Sequence, residues 1–138
     1  MCNDLKSIEE KEYTGFKIVA KKNGGPNSGE YFSIATGIKY KNGKRIRPPK
    51  RQRKISSYFR SGLLHKSCSG WRDDMVGRTA VFKDACDARL LEKEIVDHVS
   101  SEFTIEVALA TVSGELMEGT YGENVPVVAG KKITFVEE

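Results

Sequence analysis

The chain has 138 residues, a formal net charge of +4, 38% hydrophobic and 30% charged residues. A domain near this size buries roughly two-thirds of its unfolded surface, so a core forms without disulfides or metal. The balance excludes a disordered or fibrous chain. No apolar run nears the about 20 residues of a spanning helix, so no membrane partner is expected.

In chain order, residues 1–14 are polar, with Glu9, Glu10, Lys11 and Glu12 in a row. They predict an N-terminal arm or short helix ahead of a single domain over 15–138. Met1-Cys2-Asn3-Asp4 has no basic stretch leading into an apolar one, so no secretory leader is expected. Phe16, Ile18 and Ala20 alternate with Lys17, Val19 and Lys21, which predicts a strand with one more polar face. Turn residues crowd positions 23–29. A second strand is expected from Tyr31 to Tyr40, with Phe32, Ile34, Thr36, Ile38 and Tyr40 on one face, completing a hairpin.

Asn42-Gly43 turns the chain into a basic loop at 42–54. Seven of the eleven residues 44–54 are Lys or Arg, none is acidic, and Pro48-Pro49 favours extended backbone. Residues 61–74 read as a loop around Trp71, and Met75 to Phe82 as a strand. Asp84 is the expected N-cap of the main helix, with Asp87 in its first turn. Ala85, Ala88, Leu91, Ile95 and Val99 recur at helical spacing and predict a helix at about 85–99. Phe103 to Val112 is the strongest strand signal, and Ser113-Gly114 breaks it. Short strands follow near 116–121, 125–128 and 132–136. The predicted fold is α+β, a mostly antiparallel sheet with one main helix packed on it.

Chemistry-bearing clusters are few. His65 and Cys68 have a His-x-x-Cys spacing that zinc could use. Cys86 and His98 would sit about 18 Å apart on a straight helix, too far to share that ion. No metal or cofactor is therefore expected. Cys2, Cys68 and Cys86 are odd in number and irregularly spaced, which suggests free thiols and a cytoplasmic location. The stretch from Gly37 to Arg45 departs from a phosphate loop, since five residues separate its glycines and Arg45 replaces the Ser/Thr. Neither histidine has a nucleophile set beside it in sequence, so no enzyme is expected.

Charge is the clearest functional signal. Residues 1–60 hold fifteen Lys/Arg against five Asp/Glu, and residues 61–138 eight against fourteen. Opposed halves suggest an anionic partner and a homo-oligomer. Arg47, Arg51 and Arg53 offer planar forks that suit phosphate, and Trp71 lies near them in sequence as a stacking face. Arg78 lies in Gly77-Arg78-Thr79 and needs an anionic partner or solvent. Asp84 or a tail glutamate is the structural alternative. Phe82 is four residues further on, on the same strand face, where a ring could stack on a base while Arg78 holds a phosphate. The candidate ligand residues are thus Arg47, Arg51, Arg53, Trp71, Arg78 and Phe82.

Three stretches carry a resemblance: Gly15 to Val19 with Tyr31 to Gly37, Met75 to Phe82, and Val112 to Gly119. Together they resemble small bacteriophage counter-defence proteins, the anti-Thoeris signal-sequestering class among them, over most of 15–136. The resemblance implies a non-catalytic protein of the host cytoplasm. Its expected partner is an anionic nucleotide, a cyclic ADP-ribose isomer or cyclic oligonucleotide, withheld from a defence effector. Two alternatives stand beside it. One is a counter-defence protein that grips nucleic acid, or a host protein–nucleic acid complex, through the basic segment. The other is a degenerate ADP-ribosyltransferase-like domain, which the strand-helix-strand order at 76–112 resembles; the glutamate such enzymes need is not identifiable.

Changing Arg47, Arg51 and Arg53 together to Ala is expected to weaken binding of a phosphate-bearing ligand. Stability should fall by less than about 0.5 kcal/mol per site. Calorimetry alongside a thermal melt checks this, and a collapsed melt with unchanged binding per folded molecule would make the segment structural.

Overall fold

β-branched and aromatic residues concentrate in two stretches, and these become the two longest strands. The computed structural model describes residues 6–26, 28–34, 39–46, 78–99, 101–121 and 125–136. In chain order the elements are β1 (Lys6–Ser7), β2 (Glu12–Lys22), β3 (Tyr31–Phe32), β4 (Lys44–Arg45), β5 (Thr79–Phe82) and α1 (Ala85–Ile95). A 3-10 turn (Val96–His98) and β6 (Phe103–Ser113), β7 (Met117–Tyr121), β8 (Val125–Gly130) and β9 (Lys132–Phe135) follow. All strand pairings among the described residues are antiparallel, so the fold is α+β as the sequence predicts.

β2 and β6 pair along their whole lengths, from Glu12 opposite Ser113 to Lys22 opposite Phe103. The sheet order is β1-β7-β8-β5-β2-β6-β9-β4. β5 and β3 share the other edge of β2, β5 opposite Phe16 and β3 opposite Ala20 and Lys21. The expected β2–β3 hairpin therefore forms.

Three strands separate β8 from β9 in the sheet, yet Lys131 alone joins them in the chain. A flat sheet would hold them about 19 Å apart, at about 4.8 Å per strand, while two Cα steps span at most about 7.6 Å. The sheet is therefore rolled, with its corner at Gly130-Lys131. A Cβ on Gly130 would lie 2.7 Å from the Ser113 carbonyl oxygen and 2.8 Å from Leu116 Cδ2, so backbone packs on backbone there. The Lys131 N–H donates to Gly114 O at 3.0 Å, and the Ile46 N–H donates to Lys131 O at 2.6 Å. Thr79 pairs with Gly130 from the other side.

Rolling gives the sheet two buried faces. One carries Ile18, Ala20, Phe82, Phe103 and Ile105 against Ala88 and Ile95 of α1. The other packs Val19, Val81, Val112, Val128 and Ile133 inside the roll. The expected polar face of β2 is thereby corrected. Val19 is fully buried and Lys17 only 3% exposed, because β2 is central and covered on both sides. The Lys17 ammonium lies 5.9 Å from the centre of the Tyr40 ring, a cation–π contact suited to a buried charge.

Two further expectations change. The run from Tyr31 to Tyr40 is not one strand, since Phe32 bridges Lys39 and the Tyr40 N–H donates to Tyr31 O at 3.0 Å. The chain doubles back, which lets Phe32 and Ile34 enter the helix-side core while Tyr40 enters the inner one. Where an arm or short helix is expected, Lys6–Ser7 pairs with β7 and the long strand β2 already begins at Glu12. The helix starts as expected: the Cys86 N–H donates to Asp84 Oδ1 at 2.8 Å. Its α-helical part ends at Ile95, and the last turn tightens into the 3-10 segment.

Gly130→Ala is expected to lower stability by about 1–3 kcal/mol, because its Cβ meets backbone that cannot step aside. A shift of the urea midpoint with unchanged m-value checks this.

Candidate functional site

β9 pairs only with Ala110 to Ser113 of β6, so the earlier part of β6 has an edge that β9 leaves open. A cleft of about 790 Å³ lies against that edge, walled by Tyr31, Tyr40, Glu106 and Phe135 and reached by Asn42 and by Arg89 from α1. The doubling back of 31–40 places Tyr31 and Tyr40 together. Their rings flank Phe135, with centroids 4.6 Å and 5.6 Å from it and interplanar angles of 54° and 56°. Asn42 Oδ1 accepts from the Phe135 N–H at 2.9 Å and fixes the end of β9.

Glu106 is the polar centre of the wall. The Tyr31 hydroxyl donates to its Oε1 at 2.6 Å, and Lys21 Nζ lies 4.0 Å from its Oε2. The hydrogen bond to Glu106, then burial, then the negative charge of Glu106 push the Tyr31 phenol up to about 12. A phenol held there is neutral at pH 7; it donates a hydrogen bond and offers no base. The arrangement can offer aromatic surface to a flat ring, accept from its edge at Glu106 and meet an anion at Arg89.

Of the residues nominated from sequence, Arg47, Arg51, Arg53 and Trp71 lie outside the described residues, as do His65 and Cys68. Phe82 is 8% exposed and packs in the helix-side core, so its ring is covered. Arg78 does not pair with Asp84, whose carboxylate caps α1. Its Nη2 lies 3.5 Å from Oε2 of Glu115, in the turn between β6 and β7. Arg78 and Phe82 thus serve separate places. Tyr31, Tyr40, Glu106, Phe135 and Arg89 were not nominated. A signal for one of them existed: Glu106 is the only charged residue in the apolar run from Phe103 to Ser113.

Raised from an ordinary value near 10, the Tyr31 pKa links to stability with a definite sign. Its contribution is fully present below about pH 10 and is lost as pH rises through about 12. Phenolate absorbance during alkaline titration should show one late-ionising tyrosine, and Tyr31→Phe should remove it.

Comparison with protein-family models, with curated proteins and with solved structures finds no match to this chain.

Proposed function

We propose that this protein binds a phosphate-bearing nucleotide without transforming it, with the base lodged in the cleft beside β6. The observation that carries the reading is the wall of Tyr31, Tyr40 and Phe135, set next to one carboxylate and within reach of one guanidinium. Stacking of a base on an aromatic ring contributes about 1–3 kcal/mol and suits any base. Glu106 keeps acceptor sites beyond those used by Tyr31 and Lys21, enough to take an exocyclic amino group. Arg89 presents a planar guanidinium fork that suits a phosphate. The neutral Tyr31 phenol accords with binding rather than proton transfer.

The resemblance to bacteriophage counter-defence proteins supplies the role: capture of a cyclic ADP-ribose isomer or cyclic oligonucleotide in the host cytoplasm before a defence effector meets it. Opposed charge in the two halves of the chain favours a homo-oligomer as the working form. No described helix is long and apolar enough to cross a membrane.

Titration of cyclic ADP-ribose and of a cyclic dinucleotide into the protein tests this. Phe135→Ala is expected to bind at least about tenfold more weakly than wild type, the loss of one stacking face. Mass spectrometry after heat release should return the ligand unchanged. A consumed ligand would point to an enzyme. Affinity that falls with nearly one power of salt per phosphate contact would point to nucleic acid. Equal affinity in Phe135→Ala would remove the cleft from the reading.

A further inference from the structure

A second constellation lies at the far end of β6. Ser113 and Glu106 are about 23 Å apart along a strand that rises about 3.3 Å per residue, so it is separate from the cleft. Here the chain turns through Gly114 and Glu115, and Glu115 has a left-handed φ of 48°. That turn carries the Glu115 carboxylate to two cations. Its Oε2 meets Lys131 Nζ and lies 3.5 Å from Arg78 Nη2. Lys131 first, then Arg78 and Arg45, hold the Glu115 carboxyl below the usual carboxylate range. Two cations therefore contact one acid.

The pairing is incomplete on the arginine side. Arg78 Nε is buried and has no hydrogen-bond partner among the described residues, while Nη2 alone faces the carboxylate. Leaving a buried donor unsatisfied is costly unless something completes it. The Glu115 side chain is 68% exposed, so the carboxylate can swing away into solvent.

We infer that Arg78 and Lys131 form a site for a terminal phosphoryl group, and that the Glu115 carboxylate occupies it as an internal stand-in. A phosphate monoester brings three free oxygens. Two can meet Nε and Nη2 of Arg78 side-on, and the third meets Lys131 Nζ. A carboxylate has two oxygens, and here one of them serves both cations. A phosphodiester has only two free oxygens, so the arrangement selects a chain-terminal phosphoryl group over a nucleic-acid backbone. Bound ligand displaces Glu115, and the displaced acid lowers affinity by competition.

Inorganic pyrophosphate is the probe, measured by calorimetry with dimethyl phosphate as the diester control; neither needs the aromatic cleft, so the result stands apart from the nucleotide reading. Glu115→Gln is expected to bind pyrophosphate at least about fivefold more tightly than wild type, the release of an exposed ion pair. Glu115→Asn, which tolerates left-handed backbone, should behave alike and guards against an effect of the turn itself. Adding Arg78→Lys to Glu115→Gln keeps the charge but loses the fork, and should cancel the gain. Equal or weaker binding in both Glu115 variants, no effect of Arg78→Lys, or dimethyl phosphate binding as well as pyrophosphate would each overturn the inference.

Discussion

The full-length pairing of β2 with β6 is the constraint on which the rest of the structure depends. Both strands run eleven residues in unbroken antiparallel register. A central ladder of that length can be flanked by partial neighbours, and it is. β5 and β3 divide one edge of β2, while β9 covers only the end of β6. The close approach of β5 needs Gly15, where a Cβ would lie 2.6 Å from Phe82 O and 2.8 Å from Val81 Cγ2. The cleft exists because β9 stops short of the ladder's length.

The roll of the sheet converts one ladder into two cores. Alternation along β2 sends Ile18 and Ala20 toward α1 and Val19 inward, so each residue in this part of the strand is buried. Full burial of an aliphatic side chain contributes roughly 1.5–3 kcal/mol, which makes this short stretch a dense source of stability. It also explains how Lys17 is held: its stem lies among apolar neighbours and its ammonium meets the Tyr40 ring. The same inner core tethers Tyr40, which the cleft then uses as a wall.

Much of this was legible in the sequence because it is local. Asp84 at the helix start, the 3.6-residue period of Ala88, Leu91 and Ile95, and the apolar run of β6 each follow from neighbouring residues. What was not legible depends on distant strands. Lys17 and Lys21 gave β2 the look of a half-exposed strand, and only its central place in the sheet buries Val19 and Lys17. The alternation from Phe32 to Tyr40 mimicked one long strand, because a fold-back between two cores leaves the same pattern as a straight run with one apolar face. The cleft draws on Tyr31, Tyr40, Arg89, Glu106 and Phe135, far apart in sequence and close only through β-pairing. The partner of Arg78 was likewise hidden, since Glu115 reaches it from a turn on another strand pair.

Ile46 and Thr79 both fasten to the Gly130-Lys131 corner, one by a hydrogen bond and the other by strand pairing. The described residues on either side of 47–77 are therefore both anchored at one corner. With the Gly114 carbonyl bonded to the Lys131 N–H as well, backbone from four parts of the chain meets there. A backbone shift at Gly130 is therefore passed at once to Ile46, to β5 and to the turn after β6, so damage at this corner spreads where damage at a strand end would stay local.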